Sequence, residues 1–336
     1  MILEPKTEQE HLAKIVRRFQ QKKILVIGDL VADQFLFGAI SRVSREAPVM
    51  ILRYEKTLTV PGGAANCAVN LASLLAEVKL IGVVGKDEAG DALLKSFSES
   101  NIDTDGVIQS SRLRTTTKVR VLAGQIHSPR QQVIRIDYEN EVLRDTEIRQ
   151  QLIEKLLKAG NEADAIIISD YNYGVADELI AEQARLIANE RNIPLLVDSR
   201  FKLSSFAGCT SATPNEDEVE QLLNKKFDED SKFENECIAL REQLCFEALL
   251  VTRGGNGMLL IEKNQPPKHI SAVGSREPVD VTGAGDTVIA TYTLALASGA
   301  TFAESANLAN YAGGLVVMKR GTASINSHEL LNSILN

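Results

Sequence analysis

Tryptophan is absent from the 336 residues, aromatic residues make up only 5%, and cysteine and histidine occur four times each. Cys67, Cys209, Cys237 and Cys245 show no C-x-x-C spacing and fall far short of a disulfide scaffold, so free thiols in a reducing compartment are expected. His11, His127, His269 and His328 have no metal-ligand neighbour three or four residues on, and no zinc site is expected. Positive charge is not in excess either: 37 Lys and Arg against 45 Asp and Glu give a formal net charge of −8. That balance argues against nucleic acid or an anionic membrane as partner. An anionic substrate would have to be held by local Arg, Lys and backbone N–H groups.

Long apolar runs are missing too. The N-terminal stretch MILEPKTEQEHLAKIVRRFQQKK is mixed in charge and lacks the apolar segment of a signal peptide. The longest uncharged run, 287–303, carries several Thr, Ser and Gly residues and is too short and polar to span a bilayer. A cytoplasmic protein with no membrane partner is expected.

What is present is the composition of a globular chain, 44% hydrophobic and 24% charged. KILVIGD (23–29), VKLIGVVG (78–85), ADAIIISD (163–170), IPLLVDS (193–199) and EALLVTRGG (247–255) are short continuous apolar runs, as buried parallel strands are. Between them lie helical patterns such as GGAANCAVNLASLLA and ADELIAEQARLIANER. The alternation predicts one α/β domain over residues 1–336, with a doubly wound, mostly parallel sheet flanked by helices. Two stretches, 33–60 and 115–139, break the rhythm. They are β-branched, alternating and turn-punctuated, which predicts antiparallel strands forming a small β-sheet lid. The charged stretch NKKFDEDSKFENE (224–236) reads as a surface loop or a helix start.

Ligands of α/β sheets collect beyond the carboxyl ends of the strands. Asp29, Asp33, Asp170, Asp198, Asn215 with Glu218, and residues 252–257 are all expected there. Each alone reads as a cap or turn former; their convergence points to a polyhydroxylated ligand, a metal ion, or both. In PGGAANCAVNLASLLA, Gly62 and Gly63 permit close backbone approach, and Asn66 offers a hydrogen bond from a first helical turn. A tight turn packing a helix on the sheet explains that segment equally well.

DVTGAGDT (280–287) says more. Gly283, Ala284 and Gly285 at a helix start turn backbone N–H groups toward one point, where the helix dipole also favours an anion. Asp286 follows in the first turn, beside that pocket. The pattern fits phosphoryl transfer, with the N–H groups stabilising charge and the aspartate taking a proton from the attacking hydroxyl. No Gly-Lys-Ser/Thr follows, so it is not a Walker A loop, and no G-x-G-x-x-G follows the first strand.

Together these motifs resemble the PfkB/ribokinase family of carbohydrate kinases over nearly the whole chain. GGAANCAVNLASLLAEVKLIGVVG (62–85) resembles the first family signature and DVTGAGDT the second. TPNEDE (213–218) resembles the Asn-x-x-Glu motif, and VTRGGNGMLL (251–260) the nucleotide-loop strand. The resemblance implies a ribokinase-like fold and an ATP- and Mg²⁺-dependent kinase. It implies Asp286 as base and Gly283, Ala284 and Gly285 as anion hole. Asn215 and Glu218 would organise magnesium-bound phosphates; Thr252, Gly254, Gly257 and Asn310 would contact the adenine nucleotide. Asp33, Gly62, Gly63 and Asn66 would meet sugar hydroxyls. Asp280 and Thr282, with backbone near Val316 and Gly321, would hold a monovalent cation such as K⁺. A homodimer through the lid is a family habit.

Within the family, SRVSREAPV (41–49), TKVRV (117–121), QQVIRIDYE (131–139) and RGGNGMLLI (253–261) are most similar to heptose-7-phosphate kinases. Arg42, Arg45, Lys118, Arg120 and Arg135 lie in these lid stretches, and a phosphorylated sugar needs cationic partners. Arg120 and Arg135 are the expected phosphate clamp. The chain departs from that pattern where it reads DYNYG, with Tyr173 in place of Lys, and DSR, with Ser199 and Arg200 in place of Pro and Lys. The lid also has an irregular GQIHSPR stretch (124–130). A kinase for an unphosphorylated sugar or nucleoside, and a non-catalytic sugar- or nucleotide-binding regulator, remain the alternatives.

Overall fold

The computed structural model describes residues 5–124, 130–140, 143–274 and 277–336. Most of the irregular GQIHSPR stretch, residues 125–129 including His127, lies outside the described residues. In chain order the strands are β1 (Lys23–Gly28), β2 (Leu30–Val43), β3 (Met50–Gly63), β4 (Glu77–Gly85), β5 (Asp103–Ser110), β6 (Thr116–Gly124) and β7 (Gln131–Tyr138). They continue as β8 (Ala165–Asp170), β9 (Leu195–Ser199), β10 (Ser211–Ala212), β11 (Ala248–Thr252), β12 (Met258–Glu262) and β13 (Lys268–Ile270).

Nine of them form the main sheet, in the order β13-β12-β11-β10-β9-β8-β1-β4-β5. From β5 to β11 every neighbouring pair is parallel; β12 and β13 close one edge as antiparallel strands. Helices cover both faces, which is why the central strands are apolar along their length. In β1, Ile24 and Val26 pack into the core on one face and Leu25 and Ile27 into the core on the other. One face carries the helices Ala284–Ala297 and Phe302–Val316; the other carries Thr146–Gly160, Glu178–Arg191 and Asp230–Gln243. The charged stretch 224–236 thus runs into the start of that last helix. No helix of the described residues is long and apolar enough to cross a membrane.

The lid is a separate sheet in the order β3-β2-β6-β7. Its outer pairs are antiparallel, but its central pair, β2 with β6, is parallel, which corrects the expectation of an antiparallel sheet throughout. The reason is the exit direction. β2 begins two residues beyond the carboxyl end of β1, and β6 begins shortly beyond that of β5, so both leave the parallel sheet from the same edge. In this register Asp33 lies opposite Lys118, and Arg120 opposite Arg135. A one-residue slip would turn these charged side chains to the other face of the lid.

Candidate active site

The carboxyl ends of β8, β9 and β11 open into a cavity of about 460 Å³, walled on one side by the lid and on another by the N-terminus of helix Ala284–Ala297. Gly283 caps that helix with φ of +78°, a left-handed conformation that favours glycine. The Ala284 N–H donates to the Val281 carbonyl at 3.2 Å, while those of Gly285 and Asp286 lack an intrahelical acceptor by the geometry of a helix start. Of the expected anion hole, Gly283 and Gly285 line the cavity and Ala284 lies beside it.

Asp286 is 3% exposed and borders the cavity. The Asn66 amide donates to one carboxylate oxygen at 2.8 Å, and the Tyr171 hydroxyl to the other at 2.9 Å. Burial pushes the carboxyl pKa up to about 7, against the two donors, which favour the charged form. Asn66 is itself held: its carbonyl accepts from Asn70 at 3.1 Å, and the Asn70 carbonyl accepts from the Thr287 hydroxyl at 2.8 Å. Asn66 thus orients the aspartate. Tyr171 is positioned from further away. The buried Asp29 carboxylate accepts the N–H groups of Tyr171, Tyr173 and Val175 at 2.8, 3.0 and 3.0 Å, folding this loop back toward the helix.

A second, apolar slot of about 200 Å³ adjoins the cavity and shares Thr252, Val281 and Gly285 with it. Gly254, Gly257, Met258, Val288 and Asn310 line the slot. The Asn310 amide donates to the Ser271 carbonyl at 2.7 Å and so ties the covering loop to helix Phe302–Val316. A mostly apolar slot of this volume beside a helix N-terminus has room for the base of a nucleotide.

Asn215 and Glu218 line the cavity and also form the capping box of helix Glu216–Leu223, with reciprocal hydrogen bonds of 2.8 and 2.9 Å. Asp33 faces the cavity but is paired with Arg120 at 2.5 Å, and Gly62 leaves no room for a side chain beside its carboxylate. Gly63 lines the cavity with φ of +58°. Asp280 accepts the Thr282 and Gly321 N–H groups at 3.0 and 2.9 Å and ties these loops together; Thr282 reaches the cavity. Arg135 borders the cavity, held by Asp137, whereas Arg42 and Arg45 are exposed.

Residues 21–329 match the model of the pfkB family carbohydrate kinases. The chain belongs to that family. As a pfkB carbohydrate kinase it is an ATP-dependent phosphotransferase. Bifunctional protein HldE of Pasteurella multocida is 39% identical over 317 residues, covering 94% of this chain and 64% of that protein. HldE of Haemophilus influenzae is 39% identical over 324 residues, covering 96% and 66%. The chain therefore spans just under two-thirds of the length of these relatives. Arabidopsis thaliana ribokinase, solved with ribose and ATP, superposes with a TM-score of 0.72 at 19% identity, over 93% of this chain and 98% of that one. Escherichia coli phosphofructokinase-2, solved with potassium, superposes at 0.75 and 18%, over 93% and 98%. At those identities the likeness is one of fold, and the fold is ribokinase-like.

Two polar residues at this cavity escaped the motif reading: Tyr171 bonds Asp286, and Thr322 donates to Asp33 at 3.3 Å. Lys118, expected only as one of several lid cations, is buried at the lid wall. Each comes from a segment distant in sequence from the glycine-rich loop, so only the fold brings them to it.

Proposed function

We propose that this kinase transfers the γ-phosphoryl group of ATP to the anomeric hydroxyl of a sugar phosphate, heptose 7-phosphate, giving the 1,7-bisphosphate. The observation that carries the reaction is Asp286, a buried carboxylate poised near neutrality beside an open helix N-terminus. The adenine ring lies in the apolar slot and the phosphates run past Thr252 to Gly285. Asp286 takes the proton of the acceptor hydroxyl as its oxygen attacks in line, and the Gly285 and Asp286 N–H groups carry the charge of the transferring phosphoryl. The lid keeps water from the phosphoryl group.

Among the described residues there is no preformed cluster of metal-ligating side chains. Mg²⁺ is bound mainly through substrate phosphates and water, with one or two protein side chains. Here Asn215 and Glu218 would hold it, and its chemistry is to neutralise phosphate charge. A monovalent cation, K⁺, is assigned to the loop of Asp280 and Thr282. The heptose assignment is supported by the lid stretches 41–49, 117–121 and 131–139. The pairing of Arg120 with Asp33 and of Arg135 with Asp137 favours a second reading, an unphosphorylated acceptor, because neither expected clamp residue is free. The partner is a second copy of the chain, joined through the lid.

Turnover of ATP against heptose 7-phosphate, hexose 6-phosphates, free heptose, fructose, ribose and adenosine tests the acceptor. Asp286→Asn is expected to bind ATP normally and lose at least about 10³-fold in turnover. Near-normal turnover in this variant would refute the mechanism; turnover of the wild-type chain with an unphosphorylated acceptor alone would overturn the heptose 7-phosphate assignment.

A further inference from the structure

Positive charge in the cavity is unevenly matched. Arg120 is spent on Asp33 at 2.5 Å, and Arg135 is held by both oxygens of Asp137 at 2.7 and 2.5 Å. Tyr173, standing where the heptose-kinase pattern has a lysine, donates its hydroxyl to Glu139 at 2.6 Å and brings no charge. Two cations lining the same cavity differ. Among the described residues, neither the Lys118 ammonium nor the Arg200 guanidinium has a hydrogen-bond or ion-pair partner, and neither borders the nucleotide slot.

Lys118 is 7% exposed, and its ammonium faces the rings of Tyr171 and Tyr173 at 5.4 and 5.7 Å. Burial lowers its pKa and Asp33 raises it in part. Its ammonium opens on the cavity without a hydrogen-bonded counter-ion, so an anion entering the cavity would complete it. Arg200 follows directly on β9, with its guanidinium beside the exposed Phe201 ring at 5.4 Å. It can turn its planar fork to two oxygens of one phosphate, while Lys118 supplies a point charge.

We propose that Lys118 and Arg200, rather than Arg120 and Arg135, form the subsite for a phosphomonoester dianion carried by the acceptor. This rests on the proposed sugar-phosphate acceptor and names the residues that select it. Arg120 and Arg135 then act on the lid, holding Asp33 and Asp137.

The test is calorimetric titration of heptose 7-phosphate and of free heptose without nucleotide, together with the KM for ATP. The wild-type chain should prefer the phosphorylated sugar by at least about 10-fold. Lys118→Gln and Arg200→Ala should each remove most of that preference, with the affinity for free heptose and the KM for ATP changed less than about threefold. Arg200→Lys should restore part of it, and Arg135→Ala should keep it. Arg200 is exposed, so its variants report on binding even if the Lys118 variant folds poorly. A preference lost in Arg135→Ala but kept in the Arg200 variants overturns the inference and leaves the acceptor intact. A tenfold rise in the KM for ATP would place these cations on the nucleotide and overturn it too. Equal wild-type binding of both sugars would sink the acceptor reading, and the subsite with it.

Discussion

At Asp286, burial and two donors pull in opposite directions, and the residual pKa of about 7 puts the proposed base in the physiological range. Since only the carboxylate can accept a proton, kcat/KM should rise with pH through a midpoint near 7. Tyr171→Phe removes a donor that favours the charged form, so its midpoint should lie higher; pH–rate profiles of the two proteins decide this. A midpoint that stays put would reduce Tyr171 to packing. Stability has the opposite sign. The folded chain binds this proton more tightly than an unfolded one with the ordinary value of 3.8, so the contribution is complete below about pH 4 and is lost as pH rises through 7. The place of Asp286, in the first turn of a helix beside the cavity, could be read from its motif because the residues immediately before it set that place. Tyr171 could not: it reaches Asp286 only because Asp29, 142 positions away, gathers the loop N–H groups.

The helix Ala284–Ala297 separates what glycine does for the chain from what it does for a ligand. A Cβ at Gly285 would meet nothing within 4 Å, so the fold has room for alanine there. Helix propensity would even favour the change, by up to about 1 kcal/mol. In the proposed reaction the added methyl would instead stand where the transferring phosphoryl group passes. Gly285→Ala should therefore melt at the same temperature or higher and lose at least about tenfold in kcat, measured by calorimetry and steady-state kinetics. Loss of both would make the glycine a packing requirement. Among the elements, β1, β4, β8, β9 and β11 were legible as apolar runs, since burial on both faces leaves no other pattern. The lid strands were legible as strands, yet not the parallel pairing of β2 with β6. Side-chain type reports that a strand is half-buried, whereas direction depends on where each strand leaves the main sheet.

For the whole molecule, the lid presents an apolar surface away from the cavity. Ile134, Ile136 and Tyr138 occupy alternate positions of β7 and are 53%, 42% and 38% exposed, while Arg135 between them borders the cavity. A second copy of the chain would cover that face. Ile136→Glu should convert a dimer to a monomer in light scattering; a wild-type chain that is already monomeric would remove the interface. The adjoining slot and cavity have a further consequence. Because Thr252, Val281 and Gly285 line both, the two compartments lie directly side by side. A single tethered molecule, a purine joined to a polyol through a short anionic spacer, could occupy both ends at once. It would surrender its translational freedom once rather than twice, which makes this junction the natural target for a bisubstrate inhibitor.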